Sequence, residues 1–161
     1  MPTKACKIDN ASLVAIADAV PALIALYNIK TGEYIYVNNS IKKLLGYTPE
    51  DFIVGGMEFV ASLIHPDDIA GIMAKNQAAL AAANSNPKVG QDESIANFEY
   101  RMRHNNGEWR WLHTEGTVFK RSDDGKVELL LNVSLDITAR KAAETHLKTS
   151  LKALEEILAV S

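Results

Sequence analysis

Along the C-terminal half of the chain, apolar and polar positions alternate with the period of a β-strand. In the run 95–103, Phe98, Tyr100 and Met102 fall on one side and Glu99, Arg101 and Arg103 on the other. After Gly107, Leu112, Thr114, Gly116 and Val118 share one side, and Trp109, Trp111, His113 and Glu115 share the opposite one. A last run sets Leu129, Leu131, Val133 and Leu135 against Leu130, Asn132, Ser134 and Asp136. Asn105-Asn106-Gly107 and Asp123-Asp124-Gly125 separate these runs, and such clusters make tight turns. The pattern predicts a three-stranded antiparallel meander. From Ala139 onward the period becomes helical.

The N-terminal half is read by the same rules. Asp9 or Asn10 caps a short helix with Leu13, Ile16, Ala17 and Val20 on one face, and Pro21 stops it. Residues 22–29 and 34–38 form strands around the turn Lys30-Thr31-Gly32-Glu33. Asn39 or Ser40 caps a helix carrying Ile41, Leu44 and Leu45, which Gly46 ends. Thr48-Pro49-Glu50-Asp51 starts another helix, broken at Gly55-Gly56, and 59–64 is a short apolar turn. His65-Pro66-Asp67-Asp68 opens a helix to about Ala83, with Ile69, Ile72, Met73 and Leu80 on its apolar side. Residues 84–92 form a polar loop. Strands with helices segregated to one face make an α+β fold.

Several of these segments carry a family resemblance. Tyr36-Val37-Asn38-Asn39-Ser40, Leu45-Gly46-Tyr47, His65-Pro66-Asp67-Asp68, Gly107-Glu108-Trp109-Arg110-Trp111 and Asp136-Ile137-Thr138-Ala139-Arg140-Lys141 resemble, in order, the motifs of PAS sensor domains. The resemblance covers roughly residues 22–141. It implies a five-stranded antiparallel sheet with a helical connector on its concave face. The division that follows is 1–21 as an N-terminal extension and cap helix, 22–138 as the PAS domain, and 139–161 as a C-terminal signalling helix.

Resemblance and periodicity disagree about the last strand. Periodicity turns the aliphatic side inward. In PAS folds, however, the residue two before the Asp of Asp-Ile-Thr faces the pocket, and here that residue is Ser134. The resemblance therefore implies a pocket lined by Phe98, Tyr100, Met102, Leu112, Thr114, Asn132 and Ser134. The aliphatic stripe, with Trp109 or Trp111, then lies outside, where it needs a cover: the N-terminal helix (Leu13, Ile16, Val20), a second subunit, or both.

Composition changes this picture by exclusion. The chain has 161 residues, 47% of them hydrophobic, enough for one domain with a core. A formal charge of −3 offers no basic field for nucleic acid. No apolar run is long enough to span a bilayer, and a cytoplasmic location is expected, although the parent protein may be anchored elsewhere. Cys6 is the only cysteine, so an intrachain disulfide and a cysteine metal site are excluded. It lies outside the fold, whereas light–oxygen–voltage flavin chemistry needs a cysteine in the helical connector. Haem is not expected either: related haem-binding PAS domains place their histidine in the long connector helix, and residues 67–83 contain none. His65, His104, His113 and His146 show no metal-ligand spacing. Asp67-Asp68 and Asp123-Asp124 are neighbours in a cap and a turn, not a catalytic pair. No phosphate loop or nucleophile elbow is present, so catalysis is not expected.

The exit helix points to an output. Leu147, Leu151, Leu154 and Leu158 follow coiled-coil heptad spacing, with Ile137, Arg140 and Glu144 in the same register. The alternative is a helix folded back on its own domain. Arg140 and Lys141 sit where the helix dipole disfavours cations, so Asp136 and Glu144 are expected to pair with them. By resemblance, Asp136, Ile137 and Thr138 form the signal relay, with Thr138 capping the helix. His146 lacks the flanking residues of a kinase phosphoacceptor. The expectation is a homodimeric sensory module that binds a small molecule or partner and drives an effector beyond Ser161, such as a histidine kinase or cyclase. The alternative is a ligand-free dimerisation scaffold.

Overall fold

The computed structural model describes residues 7–89 and 94–160. The elements run α1 (Asn10–Ala19), β1 (Leu23–Asn28), β2 (Glu33–Val37), α2 (Ser40–Leu45), α3 (Pro49–Leu63), α4 (Pro66–Ser85), β3 (Ala96–Arg103), β4 (Trp109–Arg121), β5 (Val127–Asp136) and α5 (Thr138–Val160). The strands form one antiparallel sheet in the order β2-β1-β5-β4-β3. The first hairpin and the C-terminal meander meet where β1 pairs with β5. This is the α+β architecture that the motifs imply.

One sheet face packs on the helices. Leu23 and Ala25 of β1, Tyr34 and Val37 of β2, Met102 of β3 and Leu112 of β4 close against Ile41, Leu44 and Leu45 of α2 and Phe52, Val60 and Leu63 of α3. Burying such side chains stabilises the fold by about 1.5–3 kcal/mol each. A second cluster joins Ala83 of α4 to Val127 and Leu130 of β5, flanked by Leu80 and Val118. Phe98, Thr114 and Ser134 are buried but belong to neither cluster.

Helix starts follow the local rules where the cap is local. Asp9 accepts from the Ser12 amide, and Thr48 and Asp51 form a capping box. His65 Nδ1 accepts from the Asp67 amide at the start of α4. Gly46 ends α2 at φ 76°, and a Cβ there would meet the His104 ring at 2.8 Å, so the position demands glycine twice over.

Several expectations are corrected. The helix that starts at Pro49 is broken at Gly56 (φ 64°, ψ −163°), as expected, but it resumes beyond the break, so 59–63 are helical rather than a short turn. Met73 is exposed and outside the apolar side of α4. Asn39 and Ser40 do not cap α2. Asn39 donates to Asp18 through its amide and its side chain, and Ser40 Oγ donates to the Val20 carbonyl. Beside them Asn38 is buried, and its amide bonds Ala17 O, Ala22 O and Ile24 N–H. Polar bonds therefore fix the end of α1 to the start of α2.

The expected packing of α1 on the outer stripe is not found. α1 has no buried residue, and Leu13 and Ile16 remain 50% and 52% exposed. The stripe does face outward, with Leu129, Leu131 and Val133 half-buried and Leu135 exposed. Across the strands it meets Ile24 and Leu26 of β1, through Ile24↔Val133 and Leu26↔Leu131.

Candidate functional site

The inner face between the two apolar clusters is polar. Cross-strand register sets Phe98 opposite Thr114, Thr114 opposite Ser134, and Ser134 opposite Leu23. The hydroxyls make one chain: Tyr100 Oη lies 2.8 Å from Thr114 Oγ1, which lies 2.6 Å from Ser134 Oγ. Burial pushes the Tyr100 hydroxyl up from its ordinary range, so it stays a neutral phenol. These three groups satisfy one another, as buried polar groups generally do.

The next row differs. Ala96, Gly116, Asn132 and Ala25 lie side by side across β3, β4, β5 and β1. Asn132 is only partly buried, and its amide makes no hydrogen bond among the described residues. A Cβ at Gly116 would come within 3.1 Å of Asn132 Oδ1. The absence of a side chain at Gly116 thus makes room for that amide, and the small Ala25 flanks it on the other strand. At the β3 end, a cleft of about 450 Å³ separates α4 (Lys75, Ala78, Ala79) from residues 94–98. Of the seven residues expected to line a pocket, Phe98, Tyr100, Met102, Leu112, Thr114, Asn132 and Ser134 share this face. Met102 and Leu112, however, lie within the packed apolar cluster.

The second assembly is the junction of sheet and exit helix. The backbone of Trp111 is bonded on both sides: its carbonyl accepts from Ile137 N–H at 2.8 Å, and its N–H donates to Thr138 Oγ1 at 2.9 Å. Asp136 Oδ1 accepts from both the amide and the hydroxyl of Thr138. The expected cap at Thr138 and the expected ion pair at Asp136 are therefore corrected. Asp136 caps α5, and the Thr138 side chain ties the helix to β4. Because its carboxylate is used here, Asp136 does not pair with Arg140 or Lys141. Their acids are Glu144 and Glu99 of β3. Glu99 Oε1 lies 2.8 Å from Lys141 Nζ, and its Oε2 takes Arg140 Nη2. Lys141 and Arg140 hold the Glu99 carboxyl below its ordinary range. Beyond this base, residues 142–160 of α5 are exposed, including Leu147, Leu151, Leu154 and Leu158.

Glu99, Gly116 and the Asp68–Arg101 pair were not anticipated as site residues. Arg101 donates to both oxygens of Asp68, from Nε at 3.0 Å and Nη2 at 2.8 Å. Two excess cations at 140–141 and outward acids in the meander were the available signal for Glu99. Nothing in the local pattern marked Gly116. Among the described residues no group of three or more His, Cys, Asp or Glu side chains is placed to hold a metal, and no helix is long and apolar enough to cross a membrane. Cys6 lies outside the described residues, as do 90–92 of the expected polar loop.

The geometry is that of a sensor-type α+β domain with an emergent helix, and the comparisons give its family. The profile of the PAS fold matches residues 34–133, and the chain belongs to that family. It is 34% identical over 122 residues to the methyl sulfide methyltransferase-associated sensor of Methanosarcina acetivorans, covering 76% of this chain and 11% of that protein. It is 23% identical over 143 residues to the two-component sensor PprA of Pseudomonas aeruginosa, covering 88% and 14%. The chain thus spans only a small fraction of the length of these curated relatives. Among solved structures, a sensory box histidine kinase/response regulator from Burkholderia thailandensis aligns with a TM-score of 0.63 at 25% identity, covering 92% of this chain and 99% of that one. A PAS domain from Colwellia psychrerythraea aligns with a TM-score of 0.60 at 25% identity, covering 81% and 99%.

Proposed function

We propose that this chain is a sensory module that takes a small molecule on the inner face of its sheet and passes the effect through α5 to an effector in a longer protein. The observation that carries the reading is Asn132. An unbonded, partly buried carboxamide on an otherwise satisfied inner face, flanked by the small residues Gly116 and Ala25, is suited to orienting a polar ligand group. Ser134 and Thr114 sit one row away, and β5 runs from them directly into Asp136, Ile137 and Thr138. A ligand that spreads or tightens this row displaces the end of the strand that caps the helix. Coupling of about 1–3 kcal/mol is the usual scale for such a relay. Leu147, Leu151, Leu154 and Leu158 supply a dimer seam through which two chains respond together. The effector fits a kinase, given the sensor and histidine-kinase relatives, or a cyclase.

The mutual satisfaction of Tyr100, Thr114 and Ser134 favours a second reading, a ligand-free dimerising scaffold. Native mass spectrometry of the purified protein, alongside Asn132→Leu, separates the two. A sensor carries added mass, or gains thermal stability from a metabolite library, and Asn132→Leu abolishes either effect by filling the row. A wild-type protein that is bare and unresponsive to every compound supports the scaffold.

A further inference from the structure

The relay just described runs through β5. We infer that a second connection crosses the outer face of the sheet, from the start of α4 to the base of α5, and that Trp111 is its central positioning residue. Asp68 sits in the first turn of α4 and accepts from Arg101 three times: from Nε, from Nη2 and from the backbone amide at 2.9 Å. The Arg101 carbonyl in turn accepts from the His65 amide at 2.9 Å, so the α4 start and β3 are joined in both directions. Arg101 lies directly across from Trp111, its guanidinium 5.2 Å from the indole centroid. Lys141 Nζ is 4.9 Å from the same ring and 2.8 Å from Glu99 Oε1. Both cations are within the range at which an aromatic ring attracts them.

The charges explain why this arrangement can transmit. Two cations share one indole, and each has an acid beside it: Arg101 has Asp68, and Lys141 has Glu144 and the Glu99 that it shares with Arg140. The Arg101 hydrogen bonds hold the Asp68 carboxyl below its ordinary range. Moving the start of α4 away from β3 draws Asp68 off Arg101 and leaves an uncompensated guanidinium beside Lys141. Repulsion then weighs against Lys141 in the position that orients α5. Apart from the bonds of residues 136–140 at its base, little else holds that helix, since everything beyond Lys141 is exposed. α4 also forms one wall of the cleft at 94–98, so ligand entry there is one way to move it. The relevance to signalling rests on the sensory reading above, whereas the coupling itself does not.

Hydrogen exchange followed by mass spectrometry on the full chain tests the connection without ligand, dimer or effector. The variants are Asp68→Asn, Trp111→Leu, Trp111→Phe and the double variant Asp68→Asn/Trp111→Leu. Asp68→Asn should speed exchange in the first turns of α5 roughly two- to fivefold, the scale of one such contact, while amides at the centre of β4 stay protected. Trp111→Leu should raise α5 exchange and remove any further effect of Asp68→Asn. Trp111→Phe, which keeps an aromatic face, should restore the coupling. A response to Asp68→Asn confined to α4 and β3 overturns the inference, as does an α5 response that persists unchanged in the Trp111→Leu background. If Trp111→Leu does not fold, Asp68→Asn alone still decides the connection: a response that reaches α5 supports it, and one confined to α4 and β3 overturns it. Loss of the ligand reading alone would leave these exchange results standing.

Discussion

Replacing Asn38 by alanine removes one side chain that serves three backbone groups. Its Oδ1 accepts the Ile24 amide at 2.9 Å, and its Nδ2 donates to the carbonyls of Ala17 at 2.8 Å and Ala22 at 2.9 Å. The residue is 1% exposed. At about 1 kcal/mol for each hydrogen bond, and with Ala22 O left unpaired in a buried site, Asn38→Ala should lose about 3–4 kcal/mol. Asn38→Asp is the sharper variant. It keeps the acceptor for Ile24 but turns a carboxylate oxygen toward two carbonyls, with no proton to offer. Burial and those dipoles raise the folded-state pKa of the new acid above its unfolded value near about 3.9. The folded state then binds more protons than the unfolded one, so stability rises as pH falls through the folded pKa toward the unfolded one. Urea unfolding followed by tryptophan fluorescence at pH 5 and pH 8 measures both effects. Asn38→Asp should be the least stable variant at pH 8 and should recover toward pH 5 relative to wild type. An Asn38→Ala variant within about 1 kcal/mol of wild type, or an Asn38→Asp variant indifferent to pH, would refute the assignment.

Arg121 donates to the carbonyls of Ala83, Val89 and Gly125 at 2.7–2.8 Å, closing the end of α4 against the β4–β5 turn. Arg121→Ala should cost about 2–3 kcal/mol in the same urea assay, and Arg121→Lys should recover little because an ammonium lacks the planar fork. An Arg121→Lys variant as stable as wild type would count against this geometry. Leu151→Glu should lower the mass seen by light scattering if α5 is the dimer seam, and an unchanged dimer would place the interface elsewhere.

What could be read from the chain depended on where each partner lies. Asp9 and Thr48 were legible as caps because they bond amides three residues away. Asn39, Ser40 and Thr138 have the same chemistry, but their side chains are taken by Asp18, Val20 O and Trp111, which no local window contains. The sheet was legible because alternation survives in β3 and β4. In β5 it misleads: the more apolar side faces outward, because the inner side must supply Ser134 to the hydroxyl chain. Only the position of Asp-Ile-Thr gave that strand its orientation. The Asn132 row was half visible. The asparagine could be placed by its strand, but the room for its amide depends on Gly116 and Ala25, which come beside it through pairings to two different strands.

The exit helix shows how one element can serve both proposed tasks. Thr138, Lys141, Ala142, Thr145 and Thr149 border a groove closed on the sheet side by Trp111. At about 100° per residue, Leu147 and Leu151 each lie about 200° from a threonine two positions earlier. The leucine side of α5 therefore points away from its own domain. That arrangement weighs against the folded-back alternative, in which the leucines would be the residues buried, whereas Leu147, Leu151 and Leu154 are 51–60% exposed. It also separates two functions in space. Glu99, Trp111 and the Asp136 cap hold the helix where it leaves the sheet, and on the proposed reading the leucines are left to meet a second copy. If α5 pairs as proposed, a perturbation at Lys141 should thus alter the crossing of two helices without removing a seam contact, whereas one at Leu151 should abolish pairing and leave the base intact.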